Sequence, residues 1–205
     1  MTRRLAALRG ERRVLVMVTG LAAAAVAASA VAASGLGGGP ARAGAPHASA
    51  AAAAVPGTLA RFTVLAGQHF NQCSLQPAEL MSYPPGQRLQ GSCCTAMDPA
   101  RYRDQVAWLR RYAAIRQIPA DPYDITAGLA RQLIGYQATI RLSPAQQETY
   151  QAAMRQAPEK GPCCCHCWRW TAFQGLSSYL IAYRHWQAPP LAALIGNLDG
   201  CGGAG

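Results

Sequence analysis

The chain has 205 residues, of which 51% are hydrophobic, and a formal net charge of +10 from 19 Lys and Arg against 9 Asp and Glu. This length predicts one domain with appendages and excludes two full-sized domains. Six of the basic residues lie in the first 43 positions, and no basic stripe with interleaved aromatic side chains follows, so we expect no nucleic-acid partner.

Residues 1–43 have the pattern of a targeting segment. Two pairs of arginines precede an apolar run from Val14 to about Leu36, and residues 41–43 (Ala-Arg-Ala) offer a cleavage site of the signal-peptide type. The run is also long enough for an uncleaved anchor, because about 20 apolar residues span the hydrocarbon core of a membrane. Both alternatives predict an extracytoplasmic protein that is periplasmic, secreted or held at the membrane by its N-terminal segment.

The rest of the chain predicts a flexible linker followed by a helical domain. Residues 44–57 are rich in Ala, Gly and Pro, which is typical of a flexible linker. Residues 58–205 contain apolar residues at helical spacing and no run of alternating β-branched residues. We predict an all-α fold, a small bundle of about five helices with cysteine-bearing loops.

Capping residues and apolar stripes mark the predicted helices in chain order. Asp98 followed by a proline predicts one helix start, Asp124 or Thr126 caps the next helix, and Ser143 opens a capping box. A fourth helix starts near Trp168 and a short last helix covers residues 191–198. The predicted inner faces are Tyr102, Val106, Leu109 and Ala113; Leu129, Leu133, Tyr136 and Ile140; and Phe173, Leu176, Leu180 and Tyr183.

All eight cysteines follow the targeting segment and fall in predicted loops and helix ends. Cysteines that pack as small apolar side chains are expected inside the apolar stripes. We therefore predict that the bundle gathers its loops around one shared cysteine centre. The predicted metal ligands are Cys93, Cys94, Cys163, Cys164, Cys165, His166, Cys167 and Cys201.

This residue pattern favours binding of a soft metal. Cys164 and Cys167 form a C-x-x-C pair, a spacing that lets two thiolates bind one ion from a tight turn. Thiolate-rich sites select copper(I), zinc or iron–sulfur clusters. No phosphate-binding loop or nucleophile elbow indicates a conventional enzyme. The predicted function is storage, delivery, sensing or detoxification of such a metal, and not turnover of a substrate.

Two other uses of the cysteines stay open at this stage. An exported chain with an even number of cysteines normally forms disulfides, which would give a disulfide-stapled interaction domain. Adjacent cysteines cannot bond to each other without strain, however, which makes this cluster an inefficient staple. The third alternative is a thiol–disulfide oxidoreductase that uses Cys164 and Cys167 at a helix N-terminus. The βαβ pattern of thioredoxin-like enzymes is absent from the sequence around this pair.

Overall fold

The computed structural model describes residues 54–203. These residues belong to the second of the two units into which the chain divides, Gly44–Gly205. The predicted targeting segment, residues 1–43, lies outside the described residues, as does the predicted linker up to residue 53. None of the helices in the described range has the length and apolar character needed to cross a membrane.

The described part of the chain is mostly helical, as predicted, with seven α-helices in place of about five. The two additional helices, Leu59–Ala66 and Pro77–Leu80, precede the first predicted helix. A turn of 3-10 helix, Arg110–Tyr112, directly follows the helix Pro99–Leu109. The seven helices are α1 (Leu59–Ala66), α2 (Pro77–Leu80), α3 (Pro99–Leu109), α4 (Ala127–Thr139), α5 (Pro144–Gln156), α6 (Trp168–Arg184) and α7 (Ala188–Leu198).

A small β-sheet of two strands accompanies the helices and is compatible with the predicted all-α class. Strand β1 (Arg88–Gln90) pairs antiparallel with strand β2 (Asp124–Thr126). Leu89 lies opposite Ile125, and both side chains are buried in the core. Each strand has only three residues, which is too short for alternation of apolar and polar residues to be recognised.

Three of the predicted helix caps are confirmed. The side chains of Asp98, Thr126 and Ser143 each accept a hydrogen bond from the backbone N–H three residues later, at 2.7, 3.2 and 3.4 Å. In the capping box at Ser143, the side chain of Gln146 also accepts a hydrogen bond from the backbone N–H of Ser143. These bonds satisfy N–H groups that a helix start otherwise leaves without a partner.

Asp124, the alternative predicted cap for α4, has a different role. It lies in β2, and its buried carboxylate forms ion pairs with Arg61 and Arg88. The Nε atom of Arg88 donates to one carboxylate oxygen at 2.6 Å. Asp124 therefore ties α1 to the sheet, because a buried carboxylate requires charged or hydrogen-bonding partners.

The main apolar core forms between α4 and α6. The two helices approach so closely that a Cβ atom on Gly175 of α6 would lie 1.9 Å from the backbone oxygen of Leu133 in α4. Phe173, Leu176 and Leu180 are fully buried beside this contact, as predicted from their spacing. A residue without a side chain is therefore needed at position 175 for the two helices to pack.

Two residues of the predicted inner faces lie at the surface. Tyr183, near the end of α6, is 62% exposed and contacts the ring of Tyr179. Ala113 is exposed because it follows the 3-10 turn, whose tighter winding rotates it away from the stripe of α3. The other residues of the predicted inner faces are buried or partly buried.

Candidate metal centre

Four loops of the described chain bring the eight cysteines together, which confirms the predicted convergence. The loops lie between α1 and α2, between β1 and α3, between α5 and α6, and after α7. They carry Cys73 in the first loop, Cys93 and Cys94 in the second, Cys163, Cys164, Cys165 and Cys167 in the third, and Cys201 in the fourth.

Backbone hydrogen bonds join these loops to one another. The N–H of Cys73 donates to the carbonyl of Cys93 at 3.2 Å, and the N–H of Cys93 donates to the carbonyl of Gly200 at 2.9 Å. The N–H of Thr95 donates to the carbonyl of Cys201 at 2.8 Å. The sulfur positions are therefore set by the paired backbones of three loops, and not by the side chains alone.

Asp199 connects the last loop to α3. One carboxylate oxygen accepts the N–H of Cys201 at 3.0 Å, and the other binds the guanidinium of Arg101. The backbone oxygen of Asp199 accepts a hydrogen bond from Gln105 at 2.7 Å. Arg101 also donates to the carbonyl of Gly203, so α3 holds the chain on both sides of Cys201.

Glycine at position 202 lets the last loop pass close to the second loop. Gly202 has a φ of +101°, a conformation that residues with side chains rarely adopt. A Cβ atom at this position would lie 2.1 Å from the backbone oxygen of Thr95. The glycine that follows Cys201 therefore permits the approach that brings this cysteine to the others.

Several sulfurs of the cluster lie close to one another. The Sγ of Cys94 lies 3.4 Å from that of Cys93 and 3.3 Å from that of Cys164. The Sγ of Cys201 lies 3.7 Å from that of Cys93 and 3.9 Å from that of Cys163. Four sulfurs at tetrahedral corners about 2.3 Å from a zinc ion are about 3.8 Å apart.

Three groups of four cysteines have all their sulfurs within 4.8 Å of one another. Every ligand atom in these groups is a cysteine sulfur, which is the softest donor that proteins offer. The three groups are Cys73, Cys93, Cys94 and Cys165; Cys93, Cys163, Cys164 and Cys165; and Cys93, Cys94, Cys164 and Cys201.

The same centre also contains a disulfide. Cys164 is bonded to Cys201 over a sequence separation of 37 residues, and the six other cysteines are free. The bond joins the third loop to the fourth. Cys164 is thus paired with Cys201, and not with Cys167 as the oxidoreductase alternative requires. The clustered cysteines are able to hold a metal or to form disulfides.

The cluster is buried on one side and open on the other. Cys163 and Cys167 are buried, with 2% and 1% of their surface exposed, whereas Cys94 is exposed. Cys73, Cys93 and Cys165 are half-buried. A metal ion at this centre would thus be reached from solvent at the side of Cys94.

Hydrogen bonds between sulfurs shift the ionisation of the inner thiols. A hydrogen bond from Cys163, together with a second from Cys93, lowers the pKa of Cys167 to about 4. A hydrogen bond to Cys163, and to a smaller extent one to Cys167, raises the pKa of Cys93. Hydrogen bonding within the cluster therefore favours the thiolate form of Cys167, which is the form of cysteine that binds metals.

Arg169 is a fully buried cation behind the cluster. Its guanidinium donates to the side-chain oxygen of Asn71 at 3.3 Å, to the carbonyl of Leu198 at 3.3 Å and to the carbonyl of Pro122. Its backbone N–H donates to the sulfur of Cys167. Arg169 thus connects the start of α6 to the end of α7 and to the segment that precedes β2.

The positive charge of Arg169 has no carboxylate partner at ion-pair distance within residues 54–203. A buried guanidinium stays protonated, and a buried charge is costly unless an opposite charge compensates it. Attraction to this charge lowers the pKa of Cys93, against the larger effect of the hydrogen bonds to Cys163 and Cys167, which raise it. Arg169 therefore favours ionised sulfur in the inner part of the cluster.

Two of the predicted ligands, His166 and Cys167, lie outside the three sulfur groups. The ring of His166 stacks on Trp170 with a centroid distance of 4.0 Å. Cys73 was not among the predicted ligands, but its sulfur belongs to one of the groups. The sequence signal for Cys73 was weak because no second cysteine lies near it. Arg169 was missed as well, since arginines are usually exposed.

No protein-family model matches the chain, and neither a curated protein nor a solved structure matches it. The function is therefore argued from the site and not from a relative. The fold and the site define a mostly helical domain with eight cysteines in one cluster.

Proposed function

We propose that the chain is an exported protein that binds a soft metal through cysteine thiolates. It stores, delivers, senses or detoxifies this metal and does not turn over a substrate. The proposal of export depends on the composition of residues 1–43. The proposal of metal binding depends on one observation above all, the three groups of four sulfurs that lie within 4.8 Å of one another.

The arrangement of the sulfurs supports a metal ligand set. Six cysteines are free beside the disulfide, and the sulfurs of four of them, Cys73, Cys93, Cys94 and Cys165, lie within 4.8 Å of one another. A chain that used cysteines only as staples would place them in pairs at separate positions. The adjacent thiols Cys93 and Cys94 cannot bond to each other without strain, and this favours metal as their partner.

The exposure of the cluster supports exchange of the metal. Cys94 is exposed, and Cys73 and Cys165 are half-buried beside it. A structural zinc site is closed, with its four positions filled by protein ligands. An all-sulfur site with an accessible side allows a partner's thiol to replace one ligand at a time. This feature favours storage and delivery over a purely structural role.

A second candidate function has its own support. The disulfide between Cys164 and Cys201 favours a disulfide-stapled interaction domain, since it closes a loop in an exported chain. In that case the remaining free cysteines would oxidise further and no metal would bind.

The deciding experiment is elemental analysis of the full chain, purified without oxygen and without added chelator. We expect copper or zinc in stoichiometric amount, and thiols that react with an alkylating agent only after the metal is removed. Mass spectrometry after alkylation counts the free cysteines in the same sample. Fully oxidised cysteines with no metal would contradict the proposal and support the second candidate.

A further inference from the structure

The three sulfur groups are not independent of one another. Cys93 belongs to all three groups, and Cys94, Cys164 and Cys165 each belong to two. No two of the groups can therefore be filled as separate sites with four ligands each. If more than one ion binds, at least one sulfur must bind two ions. Thiolate sulfur is able to do so because it keeps lone pairs after forming its first bond to a metal.

We propose that this centre binds several copper(I) ions in one thiolate-bridged cluster, with Cys93 as the ligand common to its parts. The inference rests on the proposed function and specifies the metal and the nuclearity of the site. Cys93 is placed for this role by two backbone hydrogen bonds, from its N–H to Gly200 and from the N–H of Cys73 to its carbonyl.

The donor set favours copper(I) over zinc. The three groups contain sulfur only, without a histidine or a carboxylate, and such soft donors select copper(I) strongly. Zinc in proteins is nearly always bound by four ligands in a tetrahedron. Copper(I) accepts fewer thiolates, so that neighbouring residues such as Cys93 and Cys94 are able to serve different ions. Crowded and overlapping groups are therefore easier to fill with a low-coordinate ion.

The disulfide determines how much of the centre is available. Two of the three groups contain Cys164, and one of these also contains Cys201. Only the group of Cys73, Cys93, Cys94 and Cys165 contains neither residue of the disulfide. A water-soluble phosphine opens the bond: the phosphine gains the oxygen of one water molecule, and the two sulfurs gain its two hydrogens as thiols. The reduced chain then offers all three groups.

The test is an anaerobic titration of the phosphine-reduced full chain with copper(I) acetonitrile complex, after removal of the phosphine, followed by native mass spectrometry. We expect more than one copper per chain, with multi-copper species that fill together, and a short copper–copper distance by X-ray absorption. The chain with its disulfide intact should take up less copper. Equal uptake by the two forms would overturn the assignment of Cys164 and Cys201.

Two variants separate the bridging ligand from a peripheral one. Cys93→Ser should abolish the multi-copper species, whereas Cys73→Ser, which changes a residue of a single group, should retain them at lower loading. Circular dichroism checks that both variants are helical. If Cys93→Ser does not fold, the copper stoichiometry of the natural sequence still decides the question.

The outcomes distinguish this inference from the proposed function. A single copper per chain would overturn the cluster and leave soft-metal binding in place. Binding of no metal at any ratio would overturn both. Displacement of the bound copper by excess zinc would overturn the choice of metal, because a sulfur-only copper(I) cluster should withstand that competition.

Discussion

Helices α4 and α6 and the cysteine centre are two regions of one domain that are held together differently. The helix pair packs through apolar side chains and through Gly175, which allows the backbones to meet. The cysteine loops have little regular structure, and hydrogen bonds from Arg101, Gln105 and Arg169 fix them instead. The comparison shows that the apolar core defines the helices, whereas polar anchors define the site.

Reduction of the disulfide should give the largest effect. In the metal-free chain, opening the bond between Cys164 and Cys201 releases a loop of 37 residues, which should lower the free energy of unfolding by about 4 kcal/mol through the entropy of the unfolded chain. Urea titration with and without reductant measures the difference. Adding copper(I) to the reduced chain should restore the stability, since a ligand that binds only the folded state stabilises it.

The control for this prediction is Cys201→Ser. This variant should have the stability of the reduced chain and should not respond to reductant. A variant as stable as the oxidised chain would show that the bond contributes nothing to the fold.

Replacement of the buried cation should have the next largest effect. Arg169→Leu leaves the carbonyls of Leu198 and Pro122 without their donors, so that the free energy of unfolding should fall by about 3 kcal/mol. Copper uptake should fall as well, because the positive charge that favours ionisation of Cys93 is lost. Arg111→Leu is the matched control, since Arg111 is exposed and contacts Trp108, and its effect should stay within about 0.5 kcal/mol.

A pair of glycine variants tests the helical core alone. Gly175→Ala places a Cβ atom against the backbone of Leu133 and should cost about 2 kcal/mol through overpacking. Gly135→Ala, in α4, meets no atom within 4 Å and should stabilise the chain by about 1 kcal/mol. Copper stoichiometry should be unchanged in both folded variants. Loss of copper in Gly175→Ala would show that the two regions are coupled.

The smallest effects should come from two helix caps. Asp98→Ala and Ser143→Ala each remove a hydrogen bond at a helix start, and each should cost about 1 kcal/mol by urea unfolding. Asp98 begins α3, the helix that carries Arg101 and Gln105 to the last cysteine loop. Only Asp98→Ala should therefore also weaken copper affinity in a chelator competition. Equal affinities in the two variants would argue against an anchoring role of α3.

Local signals in the sequence predicted much of the fold. The caps at Asp98, Thr126 and Ser143 and the stripe of Phe173, Leu176 and Leu180 depend on residues within one or two helical turns. The strands could not be predicted, because three residues show no period and their pairing joins distant segments. Asp124 was predicted as an alternative cap. Its role in ion pairs could not be recognised, because its arginine partners are remote in the sequence.

The candidate site was predictable as a cluster but not in its details. The position of the cysteines in loops indicated convergence, which the sulfur distances confirm. The inclusion of Cys73, the stacking of His166 on Trp170 and the burial of Arg169 depend on long-range packing. None of these leaves a periodic or spacing signal in the sequence.

The loops of the centre also impose an order on its assembly. Cys73 and Cys201 lie on either side of every helix from α2 to α7, and each completes a different sulfur group. During synthesis, the group with Cys201 cannot form until the ribosome has released the segment that follows α7. The two groups without Cys201 have all their cysteines earlier in the chain. The group with Cys201 is therefore the last of the three to be completed.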